Sequence, residues 1–460
     1  MSSQHGMKKN INTHFPFWLF LVGIPLAFFL SVTVGEMDTP DSYLYFILAG
    51  YLRTGRIGWV APFNWNKPQT LFGPVYGLFG SFAPNLSFLQ LLMILASGFL
   101  MYIVLREIIS QKWSIVGSVV FIFLPFNLIY GTLIMSETLT QFWVALYIFI
   151  LYFAVKRPSW WANPSTLMLL ATIATLTRYA YGLLIITSII LCFFYIPKRI
   201  IEYCCIAASA ALIIWWILFN YRTNNVVSLS VVQGRHLYNN VIYDAHLLPP
   251  STLPIVKTFE KYFPSKDAFW EPWWVNQDYF AVDKRLPEWK IDSWYGQIAF
   301  AGIRYHPLSY GWHVITNIFI LPTQVPYYKK ESLHIYATCD PTGCLVPWNP
   351  IMCQPRIRIC PIQTGWAKFI TLSSSTQPLA GLVCVFLTFI GAGIAFFKKE
   401  RYLKILVVIF LSLYISQAAL EIKEGRFLIP LYPFYALFIP IALSSIVTKL
   451  KVKRMQEHAV

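Results

Sequence analysis

The sequence predicts an all-α polytopic membrane protein of about ten transmembrane helices, with interfacial helices and a mostly helical outer cap. Three observations predict it. Of the 460 residues 57% are hydrophobic and only 12% charged, about half the charge that a soluble surface carries. Apolar runs of about 20 residues, enough to cross some 30 Å of hydrocarbon, recur along the chain. Lys and Arg gather in alternate connections between those runs. The net charge of +16 is scattered in ones and twos, which argues against a phosphate-tracking face and against a nucleic-acid partner.

The runs fall near 17–35, 87–107, 113–131, 136–155, 165–178, 179–196, 200–219, 378–397, 402–420 and 428–447. The first is too long, and too poor in small residues at its end, for a removable signal peptide. With the N-terminus in the cytoplasm, every inner connection carries at least two cations, among them Lys8 and Lys9, Arg106 and Lys112, Lys156 and Arg157, Lys198 and Arg199, Lys398, Lys399 and Arg401, and Lys449 to Arg454. The short outer turns hold Arg178, Lys423 and Arg426. The expected organisation is an N-terminus and first span at 1–35, a first outer loop with interfacial helices at 36–86, and a bundle at 87–220. A large outer loop at 221–377 and the last helices with a basic tail at 378–460 complete it. The large loop is too polar to span and too rich in Trp and Tyr for disorder.

Cysteines divide by environment. Cys192, Cys204, Cys205 and Cys384 lie in or beside apolar runs, where thiols act as small hydrophobes. Cys339, Cys344, Cys353 and Cys360 cluster in the outer loop. They lack the paired C-x2-C hairpins of a zinc site, so two disulfides of open connectivity are expected.

The first outer loop opens with Glu36, Asp38 and Asp41 at the lip of an apolar helix. Desolvation there raises a carboxylate's pKa and makes a general base. Past Pro40, the spacing of Tyr45, Leu48, Ala49 and Leu52 predicts a helix lying in the interface, with Asp41 near its N-terminus. Plain capping and solvated acids would also account for these residues. Ser136-Glu137-Thr138 reads as a capping element of the fourth span. Arg178 interrupts a long apolar stretch and needs a partner. Arg426 stands at the outer start of the last span, either as a snorkelling anchor or as a ligand for an anion. The topology puts Asp38, Asp41, Glu137, Arg178 and Arg426 on one side. Acids beside arginines suit an anionic lipid-phosphate substrate and a nucleophile that must lose a proton.

The order of these pieces resembles the GT-C glycosyltransferases that use polyprenyl-phosphate sugars, the group of protein O-mannosyltransferases and the lipid A aminoarabinose transferase. Six elements carry the resemblance: Asp41-Ser-x-x-Tyr45 onward to Gly55, Lys67-Pro68 to Gly73-Pro74-Val75-Tyr76, Leu124-Pro125 with Ser136-Glu137-Thr138, Leu176-Thr177-Arg178, His306-Pro307-x-x-Tyr310, and Gly425-Arg426-Phe427-x-x-Pro430. Relatives often have Glu after the loop acid where this chain has Ser42, so Asp38 stands beside Asp41 for the base position. The outer cysteine cluster is not shared.

The resemblance implies sugar transfer to an acceptor hydroxyl, protein, lipid or glycan, with inversion. Asp41 or Asp38 is then the base, Arg178 and Arg426 bind the carrier phosphate, and Glu137 holds an arginine or a sugar hydroxyl, with Tyr45 and His306 in support. Trp270, Trp273, Trp274, Trp294 and Trp312 are expected to divide between packing the cap and stacking on sugar. No cofactor and no metal dependence are expected, although Glu36, Asp38 and Asp41 could ligate a divalent ion. No nucleotide-binding loop appears. The expected place is a bacterial inner membrane, with the site facing the exterior. The alternative is a transporter or flippase, which would bury ionisable groups at the midplane; the central thirds of these runs hold essentially none.

Overall fold

The computed structural model describes residues 14–34, 45, 48, 50–52, 73–82, 85–194, 199–230, 233–262, 288–324, 360–420 and 425–457. Regular structure among them is helical. The first part of the chain forms α1 (His14–Thr33), α2 (Pro74–Phe82), α3 (Leu86–Arg106), α4 (Gln111–Ile122), α5 (Pro125–Thr132), α6 (Ser136–Lys156), α7 (Pro164–Thr177), α8 (Leu183–Phe193) and α9 (Ile200–Asn224). The segment between α9 and the last helices adds α10 (Gln233–Tyr238), α11 (Pro254–Tyr262), α12 (Glu288–Tyr305) and α13 (Pro307–Ile320). The chain ends in α14 (Cys360–Phe397), α15 (Arg401–Leu420), a 3-10 turn (Gly425–Leu431) and α16 (Tyr432–Glu457).

Each of the ten apolar runs falls on a helix, but fewer than ten helices have spanning length. Six among the described residues are long and apolar enough to cross a membrane: Leu86–Arg106, Ser136–Lys156, Ile200–Thr223, Ser375–Phe397, Arg401–Leu420 and Phe427–Val452. The run at 113–131 is a pair, α4 and α5, bent by 45°. Pro125 causes the break, because it pushes the preceding Leu124 to φ −55°, ψ 126° and out of the helical region. Counted as one, the pair makes a seventh. The runs at 17–35, 165–178 and 179–196 give shorter apolar helices. Between the last two, Arg178 adopts an extended backbone, φ −151° and ψ 116°, followed by a 3-10 turn, Tyr179–Gly182. Asparagines start two of the helices. The side-chain oxygens of Asn85 and Asn163 each accept an N–H three residues on, at 3.0 Å, which satisfies an otherwise orphaned donor.

Leu, Ile, Phe and Tyr side chains of α3, α6, α15 and α16 form the main buried core. The cysteines of the apolar runs, Cys192, Cys204, Cys205 and Cys384, are free thiols. Cys339, Cys344 and Cys353 lie outside the described residues, as do Trp270, Trp273 and Trp274; of Cys360 only the helical backbone is described.

The segment of α10 to α12 has a core of its own, in which Tyr238, Ile242, Phe259, Trp294, Tyr295 and Ile298 meet. Here α10 docks on α12 through Asp292, whose carboxylate accepts the N–H groups of Gly234 (3.1 Å) and Arg235 (2.9 Å). The approach requires glycine, since a Cβ at 234 would stand 2.0 Å from the Asp292 carbonyl oxygen. Burial raises the Asp292 carboxyl above its ordinary 3.8, against the opposing pull of Arg235 and the two N–H donors. A raised folded-state pKa favours the protonated form, so this contribution to stability is full below about pH 3.8 and is lost as pH rises through the elevated value. Unfolding of wild type and Asp292→Asn should therefore show wild type losing ground to the variant as pH climbs from about 4. A gain instead would reverse the sign argued here.

Next, α13 lies against the C-terminal end of α15. Tyr310 donates its hydroxyl to the Ala419 carbonyl (2.5 Å), Asn317 its amide to Ala418 (3.1 Å), and Tyr414 its hydroxyl to Ile318 (2.8 Å). Burial pushes the Tyr310 hydroxyl up to about 12, so it stays a donor at neutral pH. The open side of α13 presents Leu308, Trp312, Ile315 and Phe319, the composition of a helix lying in a lipid interface.

Candidate functional site

The site is built where four connections meet. The first is the turn before α6. Met135 is extended (φ −148°, ψ 152°) and brings Glu137 into the first turn of the helix, where the dipole favours a carboxylate. The second is the break after α7 that carries Arg178. Its Nη1 lies 2.8 Å from Glu137 Oε1, and the side chains are 14% and 1% exposed, respectively. A carboxylate so enclosed is stable as an anion only with its counter-charge in place.

The 3-10 turn 425–431 is the third. The Phe427 ring lies 4.6 Å from Arg178 Cζ, in cation–π contact on the side chain that holds Glu137. Arg426 is the residue before it; its backbone belongs to that turn and its side chain lies outside the described residues. The fourth connection is the first outer loop. Tyr45 donates its hydroxyl to Ser136 Oγ (2.8 Å), and Leu48 packs with Leu176 and Trp216. Tyr45 and Leu48 are thus seated on neighbours of Glu137 and of Arg178, respectively. Asp38 and Asp41 themselves, with Glu36, lie outside the described residues.

The Gly73-Pro74 element also meets the Leu176-Thr177-Arg178 element. A Cβ on Gly73 would stand 1.8 Å from the Leu176 carbonyl oxygen, so only glycine permits this approach. Gly73→Ala is expected to push residues 176–178 aside. The cost is about 1–3 kcal/mol of stability, read from detergent-solubilised thermal unfolding. An unshifted midpoint would count against the close approach.

Glu137, Arg178 and Tyr45 therefore come together, directly or through adjacent residues. His306 does not join them among the described residues. It stands at the N-terminus of α13, its Nε2 3.0 Å from the Leu248 carbonyl oxygen. Trp294 is buried in the core of α10 to α12, and Trp312 is exposed. Among the described residues no group of three or more His, Cys, Asp or Glu is placed to hold a metal ion. Sequence reasoning missed Phe427 as a partner of Arg178, although an aromatic residue beside an interfacial arginine was a signal for it. It also missed Gln90, a glutamine inside an apolar run.

No family model and no curated protein matches this sequence. Among solved structures, the fold is similar to the Archaeoglobus fulgidus oligosaccharyltransferase in its apo form, with 13% identity and a TM-score of 0.46 over 97% of this chain and 52% of that one. The oligosaccharyltransferase AglB of the same organism, in complex with an inhibitory peptide and a dolichol-phosphate, gives 14% identity and a TM-score of 0.44. ArnT from Cupriavidus metallidurans bound to undecaprenyl phosphate gives 12% identity and a TM-score of 0.34, over 93% of this chain and 78% of that one. The chain spans about half the length of the archaeal oligosaccharyltransferase.

Proposed function

We propose that the protein is a GT-C-type glycosyltransferase that moves a sugar from a polyprenyl-phosphate carrier to an acceptor hydroxyl at the extracytoplasmic face of a membrane. The observation that carries this reading is the enclosed Glu137–Arg178 pair at the junction of four connections, faced by the ring next to Arg426. A guanidinium has five N–H donors in a planar fork and can hold a carboxylate and a phosphate oxygen together. Asp41, with Asp38 as the alternative, takes the proton from the acceptor O–H. The acceptor oxygen then attacks the anomeric carbon from the side opposite the carrier, and the bond from that carbon to the phosphate oxygen breaks. The polyprenyl phosphate leaves with the electron pair and one more negative charge, which Arg178 and Arg426 stabilise. Direct displacement inverts the anomeric carbon.

The test uses the full chain in liposomes, supplied with labelled polyprenyl-phospho-sugars and with lipid, glycan and peptide acceptors. Label should pass to an acceptor, at a rate unchanged by a chelator. Solute flux without any glycosylated product would replace this reading by a transporter.

A further inference from the structure

At its C-terminal end α5, a helix of eight residues, leaves carbonyl groups without donors from the helix itself. One side chain gathers them. Gln90 of α3, 0% exposed, aims its amide Nε2 at the carbonyl oxygens of Leu133 (2.6 Å), Gly131 (3.2 Å) and Tyr130 (3.4 Å). The other end of the same amide is also used, since Tyr76 donates its hydroxyl to Gln90 Oε1 at 2.7 Å. Thr138 adds its hydroxyl to the Tyr130 carbonyl at 3.0 Å.

These bonds close a circuit around the site. The Tyr76 ring stands edge-on to Tyr45, with centroids 4.6 Å apart. Tyr45 in turn donates to Ser136. Ser136 and Thr138 flank Glu137, so the circuit grips the residue on either side of the carboxylate that holds Arg178. A primary amide in an apolar bundle is costly unless both of its ends are paired, and here both are, Nε2 by the carbonyls at the end of α5 and Oε1 by Tyr76 of α2.

We propose that Gln90 is a positioning residue for the carrier-phosphate site. It fixes the end of the broken span and with it the Leu133–Glu137 turn, and Tyr76 ties that turn to the first outer loop. The inference rests on reading Glu137 and Arg178 as that phosphate site. In this arrangement the Gly73-Pro74-Val75-Tyr76 element sets where the carrier phosphate sits and does not touch it.

The experiment compares steady-state kinetics of the full chain in liposomes for wild type, Gln90→Met, Tyr76→Phe, Glu137→Gln and the two double variants with Glu137→Gln. Gln90→Met should raise the donor KM about tenfold and leave the acceptor KM unchanged, because a misplacement of about 1 Å is enough for such losses. Tyr76→Phe, which keeps the ring and removes one hydrogen bond, should raise it about threefold. In the Glu137→Gln background each change should add less than about twofold, since residues that act through one another are not additive. Equal shifts in donor and acceptor KM, additivity with Glu137→Gln, or a lowered unfolding midpoint with unchanged kinetics would each overturn the assignment. If Gln90→Met does not fold, Tyr76→Phe and its double variant decide by the same criteria. Wild type that transfers no sugar removes the phosphate-site reading and this inference with it. Wild type that transfers while the variants match it removes this inference alone.

Discussion

Arg178→Leu is expected to slow transfer by about 10²–10³-fold, the usual consequence of removing a donor aimed at charge that develops in the transition state. It is also expected to cost about 3–5 kcal/mol of stability, because Glu137 would be left enclosed without its counter-charge. Two companions separate the effects. Arg178→Lys keeps the charge but loses the planar fork, so it should restore stability better than rate. Arg178→Leu combined with Glu137→Leu removes both charges and should recover most of the stability with no recovery of activity. Unfolding in detergent or bicelles and transfer of labelled sugar in liposomes read the two quantities. Activity near wild type in Arg178→Leu would exclude the guanidinium from phosphate binding.

The second large effect concerns the base. Asp41→Asn and Asp38→Asn preserve shape and remove the proton acceptor. The one that acts as base should lower kcat by about 10²–10⁴-fold, with the donor KM nearly unchanged, and the other should stay within a few-fold of wild type. In the active protein, kcat should rise with pH until the carboxylate is ionised and then level off; the asparagine variant should lose that rise. Full activity in both variants would remove the carboxylate base from the mechanism.

Much of the bundle was legible because its signal is local. A run such as 136–155 is apolar beyond its first two turns and coincides with α6. The difference between ten apolar runs and six helices of spanning length among the described residues comes from single residues as well as from run length. Pro125 splits a run whose average composition hardly registers it, and Arg178 turns two adjacent runs into helices of 14 and 11 residues joined by a 3-10 turn. The site was legible in part for a related reason. Isolated ionisable residues in apolar surroundings are conspicuous, so Glu137 and Arg178 could be named; that they would stand 2.8 Å apart depends on helix packing. Phe427 and Gln90 escaped because an aromatic residue or an uncharged amide in an apolar run looks like core. Their significance lies in partners 249 and 40 to 43 residues away, as the Arg178–Phe427 ring contact and the Gln90 hydrogen bonds show.

The enclosure of Glu137 has a consequence for how the protein responds to its surroundings. Mobile ions weaken attraction between charges that water reaches, with a Debye length of about 8 Å at physiological ionic strength. The exposed Lys156–Glu400 pair, on side chains 36% and 47% open to solvent, lies within their reach. The Glu137 carboxylate, at 1%, does not. Added salt therefore slackens the exposed pair and leaves the shielded one, between α6 and the break after α7, nearly as strong as before.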